Sequence, residues 1–293
     1  MRLLYLGDDD SYCARRLAEE ARRRRIVLTI LHPRARVLTT WKKAALADVL
    51  VVRTQSPRWI SHALTLAGIY RAAGKRVIDA DLARRPVIYS KLNDLLVLAK
   101  HGVPVPKTML APTNHKAFAD AAPTLGFPLV VKGIHGAGGE QVFLARSYRE
   151  TVNILKNDSP IRANRRIPQH REGAFMLQEF LPAEYDYRVL VLGYRALPML
   201  LRRFPKRGDF RTNAKFASRL EALPMKEFQE IKKLAEHAAK ILKREFTGVD
   251  IRFKHSRPFI LEVNRQPEFE TFEKTTGLNV AGAFLEYITT KND

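Results

Sequence analysis

The chain has 293 residues, of which 46% are hydrophobic and 28% charged, which excludes a disordered chain and leaves room for two domains or one multi-lobed domain. Its formal net charge of +21 predicts a positive field that favours polyanions: nucleic acid, phosphorylated ligands, an anionic membrane or an acidic protein. The single cysteine, Cys13, excludes an intramolecular disulfide, and no apolar run reaches the roughly 18 residues of a membrane helix, so we expect a soluble cytoplasmic protein.

Strand and helix patterns alternate in the first part of the chain. The predicted strands are residues 3–6, 26–31, 48–53 and 77–79, and the predicted helices end near Arg25 and span residues 58–73. The third strand is continuously apolar, as is typical of a strand buried on both faces. This alternation predicts a small α/β domain with a parallel sheet.

The pattern changes near residues 83–86. We predict helices over 90–101, 115–125 and 148–155, strands over 108–111, 128–132 and 141–145, and a basic, proline-broken mobile loop over 157–173. Beyond it the pattern is antiparallel, with strands over 175–180, 187–192, 196–204, 247–253 and 258–264, a helix over 225–244 and a last helix from Val280.

The two strands near the end of the chain form a predicted hairpin with polar residues on one face. Glu262 and Asn264 are two apart and share a face. Asp250 joins them if it pairs with Glu262, which requires a loop with an odd number of residues. Two carboxylates and an amide oxygen suit magnesium. The alternative is an ordinary polar face, with Val249, Ile251, Leu261 and Val263 opposite, towards the core.

Three further stretches carry polar or glycine-rich patterns. Lys132 ends a buried strand and precedes a glycine-rich loop, which suits phosphate binding, although the loop is not a P-loop and an ordinary turn is the alternative. Residues 178–181 form a strand end that could hold an adenine edge, and a plain strand end is the alternative. Arg202 and Arg203 point to opposite faces of a strand, so one of them should face the site, and the alternative is that both are solvated.

In this order, these stretches resemble the ATP-grasp superfamily, and within it the RimK-like carboxylate–amine ligases. The motifs that carry the resemblance are SK at 90–91 with GVPVP at 102–106, LVVK at 129–132, QEF at 178–180, GDFRTN at 208–213, GVDI at 248–251, EVN at 262–264 and EKTTG at 273–277. The resemblance covers nearly the whole chain. It implies an N-terminal α/β domain (1–85) and two α+β lobes (86–173 and 174–293) that clamp ATP.

The resemblance also implies a role for each candidate residue. Lys91 and Lys132 would contact phosphates, Glu179 and Phe180 the adenine, Asp186 the ribose region, and Arg211 and Asn213 the phosphate side. Asp250, Glu262 and Asn264 would bind two magnesium or manganese ions. Arg203, with its neighbour Arg202, is the candidate catalytic cation at the reacting centre.

The chain departs from the family pattern in three places. Glu140 follows the glycine-rich loop, residues 216–218 read FAS where the family often has Arg-Gly-Gly, and residues 265–268 read RQPE where it often has Ser-Pro-Gly after a small residue. We expect all three segments to face the substrates. The departures therefore do not affect the expectation that the chain uses ATP, but they leave the identity of the added amino acid undetermined.

The resemblance implies an ADP-forming ligase that phosphorylates a carboxylate and joins it to an amino acid, for example glutamate, at the end of a peptide or protein. An acidic amino-group carrier protein or a small metabolite is the alternative acceptor. The alternative of another class is a basic nucleic-acid-binding protein with a decayed ATP site. A homo-oligomer is left open.

Overall fold

The computed structural model describes residues 1–32, 47–54, 59–79, 90–111, 122–134, 141–157, 175–212 and 217–290. Several predictions lie outside these ranges: most of the helix over 115–125, the glycine-rich loop from residue 135 onward, the basic loop from residue 158 onward, and Asn213.

The N-terminal unit is the predicted α/β layer with a parallel sheet in the order β2-β1-β3-β4. Its elements are β1 (Arg2–Leu6), α1 (Tyr12–Arg23), β2 (Val27–Leu31), β3 (Val49–Val52), α2 (Ile60–Ala72) and β4 (Arg76–Ile78). Ser11 begins α1 as its N-cap, because its hydroxyl accepts a hydrogen bond from the backbone N–H of Ala14. All four residues of β3 are buried, as the continuous apolar pattern predicted.

The central unit is an antiparallel sheet in the order β5-β8-β6-β7. Its elements are α3 (Lys91–Lys100), β5 (Thr108–Ala111), α4 (Ala122–Leu125), β6 (Leu129–Gly133), β7 (Val142–Ala145), α5 (Tyr148–Asn157) and β8 (Phe175–Glu179). We expected residues 175–179 in the C-terminal lobe. Pairing of β8 with β5 and β6 instead assigns it to the central sheet, so the boundary after residue 173 was too early.

The C-terminal unit is a second antiparallel sheet in the order β12-β11-β9-β13-β14, with β10 paired to β9. Its elements are β9 (Asp186–Leu192), β10 (Arg195–Ala196), β11 (Met199–Pro205), β12 (Ala217–Pro224), a 3-10 helix (Met225–Glu227), α6 (Gln229–Ile241), β13 (Phe246–Lys254), β14 (Arg257–Asn264), α7 (Glu270–Thr276) and α8 (Val280–Thr290). Neither β12 nor α7 was predicted, and the predicted helix over 225–244 is shorter and begins with the 3-10 turn.

One hydrophobic core is shared by the N-terminal and C-terminal units. Leu3 and Tyr5 of β1 pack in the same cluster as Phe246 of β13 and Phe284 of α8. The other face of the C-terminal sheet packs on α6, with Ile231 in a second core. The shared core holds β13, which carries Asp250, against the N-terminal sheet. No helix within the described ranges is long and apolar enough to cross a membrane.

Candidate functional site

The hairpin of β13 and β14 pairs Asp250 with Glu262, as the site prediction required. The turn, however, has two residues and not an odd number, because Lys254 pairs with Arg257. Both turn residues, His255 and Ser256, have positive φ, at 48° and 60°, as a two-residue hairpin turn of the primed type demands. A β-bulge between Asp250 and Ile251 changes the register by one residue, and this bulge, not an odd loop, allows Asp250 to pair with Glu262.

The bulge also changes which side chains enter the core. Ile251 pairs with Ile260, so Leu261 is the extra residue on β14. Ile260 is buried in the core with Val249 and Val263, whereas Leu261 lines the polar cleft described next. The expectation that Leu261 faces the core was therefore wrong. The extra residue shifts the inward and outward alternation of β14 by one, so that Ile260 and not Leu261 enters the core.

A cleft between the central and C-terminal sheets collects most of the predicted site residues. It encloses about 610 Å³ of space, part of it open to solvent. The predicted residues that line it are Lys91, Lys132, Glu179, Phe180, Asp186, Arg203, Arg211, Asp250 and Glu262. They come from α3, from strands of both sheets and from the segments that follow β8 and β11, which explains why residues so distant in the sequence meet here.

Arg202 does not line the cleft. Its guanidinium lies on the opposite face of β11, where it pairs with Glu221 at 3.2 Å and stacks over the ring of Tyr185, 4.7 Å from the ring centre. The alternation of side chains along a strand separates it from Arg203. A catalytic role for Arg202 is therefore inconsistent with its position, and Arg203 alone of the pair faces the site.

A network of buried ion pairs connects Arg203 with two carboxylates. Its Nε donates to Asp186 at 2.7 Å, and its Nη2 donates to Asp250 at 2.8 Å. Asp186 also accepts a hydrogen bond from the hydroxyl of Thr212. Asp186 is 2% exposed, and both of its oxygens accept hydrogen bonds, so its carboxylate holds Arg203 in place. We had expected Asp186 to contact the ribose region, but it presents no free carboxylate oxygen for that contact.

Two arginines in this network were missed in the sequence. Arg188 holds Asp250 from β9, with its Nε 2.6 Å from Oδ1 and its Nη2 2.9 Å from Oδ2. Arg252 lines the cleft and lies 3.8 Å from Asp186. Each stands two residues after a predicted site residue on the same strand. The strand period of two was a signal that could have identified both.

Gly248 makes room for Arg188. A Cβ atom on Gly248 would lie 2.5 Å from Nη1 of Arg188 and 3.0 Å from Cβ of Pro267. A Cβ atom at 2.5 Å would force the guanidinium to shift, so the missing side chain of Gly248 gives Arg188 room to lie across β13 and reach Asp250.

Lys132 extends from β6 into the cleft. Its ammonium group donates to Oε1 of Gln178 at 2.7 Å. Burial lowers the pKa of Lys132 to about 8, and Lys91 and Arg252 add to this effect, whereas Glu262 opposes it. A lysine in this state is charged at neutral pH and close to titration.

Glu262 faces several cations. Burial would raise its pKa, but Lys91, Lys132 and Arg188 together hold the pKa of this carboxyl below its ordinary value. The nearest is Lys91, whose Nζ lies 3.3 Å from Oε1. Glu262 is therefore ionised at neutral pH.

The inner part of the cleft is cationic on balance. Within the described ranges, Lys91, Lys132, Arg188, Arg203 and Arg252 face three carboxylates, those of Asp186, Asp250 and Glu262, which leaves a net charge of +2. A partly buried group of cations in excess over carboxylates attracts a polyanion.

The mouth of the cleft is lined by an ion pair and two aromatic rings. Lys254 pairs with Glu179, and Phe180 packs edge-on against Phe210 with ring centres 6.0 Å apart.

Asn264 completes the polar face of the hairpin. It pairs with Gly248, and its amide is best satisfied when the nitrogen donates to Glu262 at 2.9 Å and the oxygen accepts from Arg188 at 3.3 Å. No group of three or more His, Cys, Asp or Glu side chains in the described part of the chain could hold a metal ion. Asp250, Glu262 and Asn264 place two carboxylates and one amide on this face, and their oxygens are hard donors of the kind that magnesium and manganese prefer.

We expected residues 265–268 to face the cleft, but the structure places them elsewhere. Arg265 pairs with Asp79 at 3.1 Å, and Gln266 donates to the carbonyl of Val52 at 3.2 Å. The carbonyl of Pro267 accepts from Arg53 at 2.9 Å. This departure from the family pattern therefore packs against the N-terminal unit. Of the other two departures, Glu140 and Phe216 lie outside the described residues.

Comparisons with known proteins show what this chain is similar to. The model of the RimK-like ATP-grasp domain matches residues 89–288. A "Probable alpha-L-glutamate ligase" of Legionella pneumophila (strain Corby) is 30% identical over 203 residues, which are 69% of this chain and 63% of the relative. A protein of the same name from Maridesulfovibrio salexigens is 31% identical over 200 residues, 68% of this chain and 62% of the relative. The match thus spans less than two thirds of these relatives.

Solved structures share the whole fold at low sequence identity. The ATP-grasp ligase PsnB, complexed with a phosphomimetic variant of its minimal precursor, Mg and ADP, superposes with a TM-score of 0.71 at 18% identity over 99% of this chain and 98% of PsnB. A RimK domain ATP-grasp protein from Sphaerobacter thermophilus has a TM-score of 0.68 at 19% identity, over 98% of this chain and 99% of that one. These likenesses show the fold.

Proposed function

The chain belongs to the RimK-like ATP-grasp family, and from that premise we propose that it is an ADP-forming ligase that uses ATP and magnesium to join a carboxylate to an amine. One observation carries the proposal. The cleft between the two antiparallel sheets combines a surplus of cations with a face of hard oxygen donors, which together suit a metal-bound triphosphate.

The cations of the cleft divide into two groups by position. Lys132 on β6 and Lys91 at the start of α3 are on the central side, where we assign them to the phosphates of ATP. Arg203 faces them from β11, held by Asp186 and Asp250. We assign it to the charge that develops on the transferred phosphoryl group.

The mouth of the cleft suits the base of the nucleotide. The end of β8 at Glu179 provides backbone groups, and Phe180 and Phe210 provide an apolar wall. Burial raises the pKa of Glu179, but the hydrogen bonds and charges of Lys254 and Lys107 together outweigh it and lower the pKa of that carboxyl. We propose that adenine lies here, with its exocyclic amine towards the strand end.

Asp250, Glu262 and Asn264 are the proposed metal ligands. Bound magnesium would supply positive charge to the phosphate oxygens of ATP. In the absence of that charge, Arg188 and Arg203 neutralise Asp250, and Lys91 neutralises Glu262. Burial raises the pKa of both carboxyls, but at Glu262 the charges of Lys91, Lys132 and Arg188 outweigh burial and lower the pKa. At Asp250 burial outweighs the opposing charges of Arg188 and Arg203, and the pKa is raised.

The proposed reaction has two steps. A carboxylate oxygen of the acceptor attacks the γ-phosphorus of ATP, the bond from that phosphorus to the β,γ-bridging oxygen breaks, and ADP leaves. An amine nitrogen then attacks the acyl carbon, phosphate leaves, and the nitrogen releases a proton as the amide forms. The site must exclude water between the steps, because water would hydrolyse the acyl phosphate.

The substrates are proposed from the relatives. The name of the glutamate ligases suggests glutamate as the amino acid that is joined, and the precursor bound to PsnB suggests a peptide or protein acceptor. An acidic amino-group carrier protein stays the alternative acceptor, and the contact of Pro267 with the N-terminal unit adds nothing in its favour.

A panel assay tests this proposal. ADP release is measured with each of the common amino acids, alone and with acidic peptides, at fixed ATP and Mg²⁺. We expect release that requires both an amine and a carboxylate substrate and is fastest with glutamate. A nucleotide turnover that ignores both substrates would contradict the proposal.

A further inference from the structure

The carboxylate of Asp79 reaches both strands of the hairpin that carries the proposed metal ligands. Asp79 follows β4 of the N-terminal sheet and is 3% exposed. Its Oδ1 accepts from the backbone N–H groups of Glu245 at 2.8 Å and Phe246 at 3.3 Å, where β13 begins. Its Oδ2 accepts from Arg265, the residue after the end of β14, at 3.1 Å.

These contacts lie at the end of the hairpin where the oxygen donors are. Asn264 pairs with Gly248, and its carbonyl accepts a hydrogen bond from the hydroxyl of Thr247 at 2.7 Å. Asp250 and Glu262 form the next pair but one. The two-residue turn is at the other end, so Asp79 holds the functional end of the hairpin and not its tip.

A second path of contacts runs from the N-terminal unit to Asp250. Arg53 donates to the carbonyl of Pro267, which packs beside Gly248. Arg188 crosses Gly248 and holds both oxygens of Asp250. A shift of residues 265–267 would therefore reach Asp250 as well as Asn264.

From these contacts we propose that Asp79 is a positioning residue, through which the N-terminal unit fixes the spacing of Asp250, Glu262 and Asn264. The inference rests on the proposed function only in assigning those three side chains to a divalent ion. Asp79 orients the ligand-bearing strands without touching the ion. Removal of groups hydrogen-bonded directly to metal ligands changes metal affinity by about 10- to 100-fold. Asp79 acts through the strands and not on the ligands themselves, so we expect an effect at the lower end of that range.

Arg76 provides a matched control in the same interface. It stands on β4, three residues before Asp79, and pairs with the side chain of Glu245 at 3.0 Å and with the carbonyl of Ile288 at 3.1 Å. Arg76 thus contacts the side chain of Glu245 and, on α8, the carbonyl of Ile288 and the ring of Tyr287, whereas Asp79 accepts from the backbone where β13 begins. Arg76→Met should loosen the interface without releasing the start of the strand.

The experiment compares Asp79→Ala, Asp79→Asn and Arg76→Met with the natural chain. Mn²⁺ binding is measured by electron paramagnetic resonance in the presence of saturating ADP, and the Tm of each protein is recorded. We expect Asp79→Ala to weaken Mn²⁺ binding about tenfold and Arg76→Met to weaken it less than about twofold at a similar loss of Tm. Asp79→Asn should lie between, because its amide oxygen still accepts from β13.

The outcomes separate this inference from the proposed function. Equal Mn²⁺ affinity in Asp79→Ala and Arg76→Met would show that Asp79 has only a structural role and would overturn the inference alone. If Asp79→Ala does not fold, Asp79→Asn decides, and natural Mn²⁺ affinity in that variant overturns the inference. A natural chain that binds no Mn²⁺ with ADP would overturn the proposed metal site itself.

Discussion

The charge of Lys132 depends on pH within an accessible range, because burial lowers its pKa to about 8. Above that pH the free protein loses one of the cations assigned to the phosphates of ATP. We expect kcat/KM for ATP to fall about tenfold for each pH unit above about 8. Lys132→Met should have a lower kcat/KM that no longer changes over the same range. A natural profile that stays flat from neutral pH to well above this value would contradict the assignment.

The same shift predicts a stability change of defined sign. The ordinary pKa of lysine is 10.5, so between pH 8 and 10.5 the unfolded chain binds a proton that the folded chain does not. The contribution of Lys132 to the free energy of unfolding therefore rises with pH through this window. Urea unfolding at several pH values, with Lys132→Met subtracted, should show this rise, and a fall would be inconsistent with a buried ammonium group.

Glu262 provides a separate test of the metal face. Glu262→Gln keeps the shape of the side chain and removes its charge, and the hairpin pairing needs no ionised group at this position. We expect turnover to fall at least about a hundredfold while Tm changes by only a few degrees. Full activity at the natural Mg²⁺ requirement would contradict the assignment of Glu262 to the ion.

At the scale of elements, the close approach of the Arg188 guanidinium to Gly248 on β13 can be tested by substitution. Gly248→Ala should push Arg188 away from Asp250 and cost about 1–3 kcal/mol of stability through overpacking. Gly68 in the interior of α2 has open space at its Cβ position, so Gly68→Ala should raise stability by up to about 1 kcal/mol. Urea unfolding of both variants measures the difference. A neutral Gly248→Ala would show that Arg188 has room to move.

The elements also show how far the sequence could predict this structure. The buried strand β3 and the capped helix α3 follow from local patterns, and the structure confirms both. Strand β12 was missed because its sequence, ASRLEALP, is rich in helix formers and becomes a strand through pairing with β11. The bulge at Leu261 was missed for a related reason: only the paired register of both strands reveals the extra residue.

The candidate site divides in the same way. Motif residues that line the cleft, such as Lys132 and Glu262, could be named from the sequence because the resemblance assigns them. Arg188 and Arg252 could have been found from the strand period. The contacts of residues 265–268 with the N-terminal unit could not, since they join segments about 200 residues apart.

At the scale of the whole molecule, the net charge of +21 exceeds what one nucleotide requires. We propose that part of it attracts an acidic acceptor. Lys206 and Arg207 are exposed candidates, since they adjoin the segment from Asp209 to Thr212 at the cleft, and residues 162–171 are further candidates outside the described ranges. Raising the salt concentration should increase KM for an acidic peptide and leave KM for glutamate nearly unchanged, because salt screens long-range attraction.

A matched pair of double variants tests where that attraction acts. Replacement of Lys206 and Arg207 by Gln should reproduce the effect of salt on KM at low ionic strength. The same change of charge at Lys226 and Lys233, which are exposed near or on α6, should not. Equal effects of both pairs would mean that only the total charge matters, and a KM independent of salt would exclude any part for the surplus charge in capture of the acceptor.

The identity of the nucleotide product tests the central claim most directly. The protein is incubated with ATP, Mg²⁺, glutamate and an acidic peptide, and the products are followed by phosphorus NMR. Transfer of the γ-phosphoryl group to a carboxylate predicts ADP and phosphate, formed in equal amounts with the amide. AMP and pyrophosphate as products would contradict the account, because they require attack at the α-phosphorus and a different arrangement of ATP in the cleft.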